Sequence, residues 1–130
     1  MYIASPYNRV VALDPVTGKE VWVYVMPSGA PSLALRVSYD DRTIAYTGDT
    51  EWHDNLLRAG AGVDLLLAEA YWFDRKIRFH LDFATLRDRL GDIAAKKVVL
   101  THMSPDMLER KPDELGGCVR AHDGMMIEIP

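Results

Sequence analysis

The chain has 130 residues, of which 48% are hydrophobic, enough to build one globular core. Its formal net charge of -4 does not favour nucleic-acid binding. The single cysteine, Cys118, excludes an internal disulfide and fits a reducing compartment, where we expect a buried structural thiol. No apolar run reaches the roughly 20 residues of a membrane span and no signal peptide is evident, so we expect a cytoplasmic protein without membrane contact.

Residues 1–28 are predicted to form a β-hairpin. Its strands are residues 9–13 and 20–25, and the turn between them contains Pro15 and Gly18. The string NRVVALDPVTGKEVWVY resembles a blade repeat of the pyrroloquinoline-quinone dehydrogenase β-propellers. Because one partial blade can neither close a propeller nor bind a quinone, this resemblance implies no quinone cofactor. The alternative is an unrelated hairpin that begins an ordinary α/β domain.

A passage rich in glycine, proline and serine follows, and it is expected to connect two domains, residues 1–28 and residues 29–130. From there the pattern of apolar residues predicts alternating strands and helices. In chain order these are strand 33–39, a turn at Asp40 and Asp41, strand 43–46, helix 51–59, strand 63–68, helix 81–93 with Asp82 as N-cap, strand 97–100, a helix opening at Ser104 and Pro105, and a hairpin of strands 118–121 and 125–129.

Two possible metal ligands directly follow predicted strands. Asp49 lies in Thr-Gly-Asp-Thr after strand 43–46, and His102 lies in Leu-Thr-His after strand 97–100. A strand end fixes the backbone while the adjoining loop leaves room for an ion and a substrate. On local grounds alone, Asp49 could instead cap the next helix and His102 could be a surface or capping residue.

These two segments resemble the C-terminal half of the metallo-β-lactamase superfamily, over about residues 30–130. The resemblance implies an α/β fold, half of an αββα sandwich with a mixed sheet and helices on one face, together with the N-terminal hairpin. It also implies that Asp49 and His102 bind a divalent metal, with zinc expected and manganese or iron as alternatives. The sequence lacks the family's His-x-His-x-Asp-His string, which supplies most of its metal ligands.

Glu69 and His80 form a second constellation. In phosphodiesterase branches of the family, such as the tRNA 3′-end-processing enzymes, the glutamate of a His-Glu-Ala-Thr string orients a histidine that protonates the leaving oxygen. Here Ala68 and Tyr71 replace the first and last residues of that string, whereas Glu69 and His80 remain. The resemblance therefore implies that they are the catalytic pair, because a neighbouring carboxylate favours the protonated histidine. A loop salt bridge is the alternative.

His53 and His122 are secondary candidates for metal ligands, since neighbouring side chains could replace those of the absent string. Each fits an exposed polar residue better than it fits a ligand. The basic residues Arg75, Lys76 and Arg78 fit either a solvated loop or a phosphate site.

From these patterns we predict a metal-dependent hydrolase of phosphodiesters that acts on a small-molecule phosphoester. A half-sandwich would expose apolar sheet surface, so we also predict a homodimer. The alternative is an inactive remnant that serves as a dimerising structural or interaction module. Hydrolysis of β-lactams is least favoured, because the Glu69 and His80 pair suits phosphodiester chemistry better.

Overall fold

The computed structural model describes residues 2–5, 9–12, 17, 24–26 and 32–129. Within these ranges two strands form a separate antiparallel pair, and six further strands form one mixed sheet with helices between them. The strands are β1 (Tyr2–Ser5), β2 (Arg9–Ala12), β3 (Tyr24–Met26), β4 (Ser32–Tyr39), β5 (Arg42–Tyr46), β6 (Leu65–Glu69), β7 (Val98–Thr101) and β8 (Val119–Arg120). The helices are α1 (Asn55–Gly60), α2 (Phe83–Ile93) and α3 (Pro105–Glu109), followed by a 3₁₀ turn at Pro112–Leu115. The predicted α/β class is confirmed, and no helix in this part of the chain is long and apolar enough to cross a membrane.

The order of strands in the large sheet is the order in the sequence, from β3 to β8. Strands β3, β4 and β5 are antiparallel, and β5 to β8 are parallel. Parallel neighbours need a crossover, and α1, α2 and α3 lie in turn between the successive parallel strands. As a result the carboxyl ends of β5, β6 and β7 meet at one edge of the sheet.

The helices pack on one face of this sheet and bury its core there. Every second side chain along the central strands points towards the helices and is buried, namely Ala45, Leu66, Ala68 and Leu100. These side chains pack against apolar residues of all three helices: Leu56, Phe83, Leu86, Ile93 and Met107. Burying one large apolar side chain contributes about 1.5–3 kcal/mol. At Gly60 the helices α1 and α2 approach so closely that an added Cβ would lie 2.9 Å from Ile93 Cγ2. The end of α1 therefore requires glycine for packing.

On the opposite face, apolar side chains of the central strands are only partly covered. Leu35, Val37, Ile44 and Leu67 are half-buried there, whereas Leu65 and Val99 are buried. Strand β2 contacts β4 near this region. The sheet thus has one closed and one partly open apolar face.

Two predicted helix starts are confirmed. Asp82 caps α2, where its Oδ1 accepts a hydrogen bond from Thr85 N at 2.8 Å. Helix α3 begins at Pro105, as the Ser-Pro pair predicted, although the Ser104 side chain makes no capping hydrogen bond.

The helix predicted from residue 51 begins only at Asn55. The preceding residues stay in a loop because their hydrogen bonds go elsewhere: Thr50 N donates to Glu69 Oε2 at 2.7 Å, and Glu51 Oε1 accepts from Phe79 N at 2.7 Å. The N-cap of α1 is Asp54, so the capping alternative for Asp49 is wrong.

The predicted C-terminal hairpin is also wrong. A turn forms where Met125 N donates to His122 O at 3.1 Å, but residues 125–129 form no strand in the described chain. Strand β8 instead pairs in parallel with β7. Leu115 and Cys118 are buried in the core just before it, as expected for the thiol, and they direct β8 along β7.

In the N-terminal part, the predicted strand over residues 9–13 forms as β2, but it pairs with β1. The end of the predicted strand 20–25 lies in β3, which pairs with β4. The prediction that these two strands pair with each other is therefore not supported. Apart from Thr17, the predicted turn between them lies outside the described residues.

A surface cluster of Phe73, Asp106 and Arg110 connects α3 to the loop that follows β6. Asp106 Oδ2 accepts a hydrogen bond from Phe73 N at 3.1 Å, and Asp106 Oδ1 accepts from Arg110 at 2.6 Å. The Arg110 guanidinium also lies 4.1 Å from the centroid of the Phe73 ring. The hydrogen bond from Arg110 holds the pKa of the Asp106 carboxyl below its ordinary value.

Candidate active site

The candidate active site lies where the parallel strands end. Glu69 is the last residue of β6, its strand partner Thr101 ends β7, and His102 follows directly. Asp49 lies three residues after β5 and reaches the same place. The sequence predicts that these residues follow strands, and the parallel pairing brings them together.

Glu69 is the centre of this site. Its side chain is 0% exposed, yet both carboxylate oxygens have hydrogen-bond partners. Oε2 accepts from Thr50 N at 2.7 Å and from Leu81 N at 3.2 Å. Oε1 contacts Nδ1 of His80 and lies 3.1 Å from Nδ1 of His102. A buried carboxylate is tolerable only when it is compensated in this way, so Glu69 is fixed between two backbone segments and two imidazoles.

A constrained loop presents His80 to Glu69. The preceding residue, Phe79, has a left-handed backbone with φ of 71°, and its N–H is held by Glu51 Oε1. The His80 ring stacks on Tyr71, with 4.5 Å between ring centroids and 24° between ring planes. Because Glu69 binds Nδ1, the other ring nitrogen, Nε2, is left for a ligand. A bulky residue with positive φ is uncommon and points to a geometry imposed by its surroundings.

Asp49 and His102 are in contact, as the matching strand-end positions predicted. Asp49 Oδ1 lies 3.0 Å from His102 Nδ1, and His102 has a left-handed backbone with φ of 51°. Both side chains are partly exposed, at 51% and 39%. Tyr46 lies beside them, and burial, reinforced by the negative charges of Asp49 and Glu69, raises the pKa of its phenol. Tyr46 therefore remains a neutral hydroxyl at neutral pH.

The donor atoms of this site fit a divalent metal ion. The ligand atoms of Glu69, His80 and His102 all lie within 4.8 Å of one another, and Asp49 adds a further carboxylate oxygen next to His102. Imidazole and carboxylate are ligands of zinc, manganese and iron, and three protein ligands suffice in catalytic zinc sites. Two ligand sets therefore satisfy the ligand chemistry, Glu69 with His80 and His102, or Asp49 with His102. The second set leaves His80 free to act as a proton donor, and it fits better because the Glu69 oxygens already accept hydrogen bonds.

Neither secondary candidate joins this group in the described chain. His53 Nδ1 accepts a hydrogen bond from Asn55 N at 3.1 Å, and His122 Nδ1 lies 3.1 Å from Asp123 O in an exposed turn. The convergent cluster of histidines and acids found among the described residues consists of Glu69, His80 and His102.

Sequence reasoning missed two supports of the site. The Tyr71 ring packs on His80, and its centroid lies 5.3 Å from that of His102. Thr47 Oγ1 accepts the Glu69 N–H at 2.9 Å. The only sequence signal was the position of each residue next to a strand end, which does not show where its side chain points.

Comparisons with known proteins agree with this fold. A sequence model of the β-lactamase superfamily domain matches residues 14–103. No curated protein sequence gives a significant match. Among solved structures, the metallo-β-lactamase fold protein YhfI from Bacillus subtilis matches 98% of the chain with a TM-score of 0.69 and 15% identity. Human tRNase Z, short form, matches 95% with a TM-score of 0.70 and 24% identity.

At these identities the two structures show the fold alone. The chain spans about half of their length, 52% of the first and 46% of the second. The propeller resemblance is not shown by these comparisons, and the family match begins at residue 14, inside the propeller-like segment. The domain boundary between residues 28 and 29 stays a prediction.

Proposed function

The chain belongs to the β-lactamase superfamily, and we propose that it is a metal-dependent hydrolase of small phosphodiesters. The observation that carries the proposal is the contact of buried Glu69 with both His80 and His102, while Asp49 contacts His102. The Glu69 carboxylate thus links the proposed metal ligands, Asp49 and His102, to the proposed proton donor, His80.

In this proposal Asp49 and His102 would hold the metal, with Glu69 Oε1 as the neighbouring donor atom. A bound divalent cation would polarise a phosphoryl oxygen and supply a nucleophile at neutral pH. Glu69 is a positioning residue, since it accepts from Nδ1 of His80 and so leaves Nε2 directed away from it. Protonated His80 would then donate its Nε2 proton to the leaving oxygen of the ester. Tyr71 restricts the ring by stacking, which lowers the entropy lost when His80 reaches the reactive orientation.

The proposal includes a homodimer, with a second copy covering the partly open sheet face. Its support is the row of half-buried apolar side chains on β4, β5 and β6, namely Leu35, Val37, Ile44 and Leu67. Burial of such surface is the usual driving force for association. Light scattering at micromolar concentration tests this part, and a stable particle of about 15 kDa, the mass of one chain, would contradict it.

Hydrolysis is tested with bis(p-nitrophenyl) phosphate, using purified protein to which zinc or manganese is added. The expected result is turnover above the metal-only background that a chelator abolishes and that His80→Ala lowers. The absence of chelator-sensitive turnover with either metal would reject the hydrolase.

The alternative function is an inactive, dimerising module. Two observations favour it: the sequence lacks the His-x-His-x-Asp-His string, and the two Glu69 oxygens already have four hydrogen-bond partners within the protein. Elemental analysis separates the two functions, because the module would contain no stoichiometric metal after purification without chelators.

A further inference from the structure

A cleft of about 410 Å³ opens beside the candidate active site and is not used by the mechanism above. His80 forms part of its wall, so the cleft and the Glu69 cluster share one side chain. The other walls carry Lys76 and Arg78 from the loop before His80, the apolar side chain of Ile77 and the indole of Trp52. The cleft therefore combines these two cations with apolar surface and access to His80, and its lining also includes the carboxylates of Glu51 and Asp82.

The acidic residues of the cleft are already engaged by backbone N–H groups. Glu51 Oε1 accepts from Phe79 N, and Asp82 accepts from Thr85 N at 2.8 Å. The second Asp82 oxygen accepts from the Thr85 hydroxyl, also at 2.8 Å. These bonds place the carboxylates in structural roles, at the turn before His80 and at the start of α2.

The basic side chains next to the cleft are not engaged in this way. Within the described ranges, no carboxylate pairs with Arg75, Lys76 or Arg78, and the Arg75 and Arg78 guanidinium groups instead lie over the rings of Trp72 and Phe79. By contrast, Lys96 pairs with Asp64 at 2.7 Å. The chain has a net charge of -4, so three cations within four residues without a carboxylate partner in the described chain, Arg75, Lys76 and Arg78, make this loop more positive than the chain as a whole. Such a group attracts anions to the adjoining cleft.

We propose that this cleft is an anion-binding site in which Lys76 and Arg78 hold the phosphoryl group of an organic phosphoester, with its apolar or aromatic part against Ile77 and Trp52. The proposal rests on the proposed function and deepens it by naming the residues that select the substrate. Lysine and arginine are the usual partners of phosphoryl oxygens, and the apolar part of the wall, Ile77 and Trp52, suits an organic substituent. Binding here would place the ester beside His80.

The test measures binding without metal, so that it does not depend on catalysis. The probe is phenylphosphonate, a non-hydrolysable aryl phosphoryl anion, titrated in the presence of a chelator and followed by the amide NMR signals of the protein. We expect saturable binding, with shifts at residues 76–80. The double variant Lys76→Gln/Arg78→Gln should weaken binding about tenfold, because each exposed charge contact contributes a few-fold to affinity.

The matched control is Arg42→Gln/Lys97→Gln, which removes the same charge from two exposed residues, the first residue of β5 and the residue before β7, at the opposite edge of the sheet. It should change the affinity less than twofold. Equal losses in both double variants, unchanged affinity in the cleft variant, equal binding of uncharged benzyl alcohol, or no saturable binding by the unmodified chain would overturn the proposal. Circular dichroism confirms that both variants fold.

Turnover then separates this site from the proposed function. If the chain hydrolyses phosphodiesters, the cleft variant should raise KM about tenfold with a smaller change in kcat. Loss of phenylphosphonate binding together with intact kcat and KM would reject the site and leave the hydrolase. Binding that depends on Lys76 and Arg78 without any turnover would reject the hydrolase and leave the site.

Discussion

Replacement of Glu69 by alanine should destabilise the fold strongly, because Glu69 is a fully buried acceptor for two buried segments. The backbone N–H groups of Thr50 and Leu81 would lose their partner in a region where both residues are about 1% exposed. Each unsatisfied buried donor costs about 1–3 kcal/mol, so the two together cost roughly 2–6 kcal/mol. Removal of a buried charge acts in the opposite direction, and we therefore expect a loss of about 3 kcal/mol in the free energy of unfolding.

Glu69→Gln should cost less, about 1–2 kcal/mol, because its amide oxygen can still accept from both backbone N–H groups, although the charge assistance and the acceptor that faces the two imidazoles are lost. Both variants are compared with the unmodified chain by urea unfolding at one protein concentration, followed by circular dichroism. Glu109→Ala, a change at an exposed glutamate of α3, serves as control and should stay within about 0.5 kcal/mol. A loss below about 1 kcal/mol in Glu69→Ala, or an equal loss in Glu69→Gln, would refute the reasoning.

Four further substitutions test the site and the surface cluster. Asp49→Ala and His102→Ala should each reduce the metal bound per chain in elemental analysis, because both would be ligands, and unchanged stoichiometry in both would refute that assignment. His80→Ala should lower turnover by roughly 10²–10⁴-fold while leaving the metal content unchanged, as expected of a general acid. Because Arg110 lowers the pKa of Asp106 in the folded chain, its carboxylate stabilises the fold at pH 7, and this contribution is lost as the pH falls below about 4. The stability difference between the unmodified chain and Asp106→Asn in urea unfolding should therefore shrink from pH 7 to pH 3, and a constant difference would contradict it.

The order of strands and helices from residue 32 onwards could be predicted because apolar periodicity and the Asp82 and Pro105 signals are local. The C-terminal hairpin could not, since turn chemistry at residues 122–124 does not say whether the preceding strand already has a parallel partner. For the site, matching strand-end positions predicted that Asp49 and His102 lie together, and the family resemblance predicted the pairing of Glu69 with His80. Both pairs are in contact in the structure, whereas their roles stay predictions. The contact between the two pairs, Glu69 with His102, depends on the parallel pairing of β6 with β7. That pairing joins residues far apart in the chain, so local sequence patterns do not reveal it.

The surface cluster of Phe73, Asp106 and Arg110 has a mechanical consequence for the two imidazoles. His102 is carried by the segment that leads into α3, and His80 by the loop that begins at the end of β6. The cluster connects these two segments at the surface. A second connection is the hydrogen bond that Ser104 N donates to Tyr71 O at 2.9 Å. A fluctuation that opens one segment must therefore displace the other, so the two histidines open and close as one cooperative unit. In hydrogen exchange, Phe73 and Ser104 amides should lose protection together when Arg110 is removed.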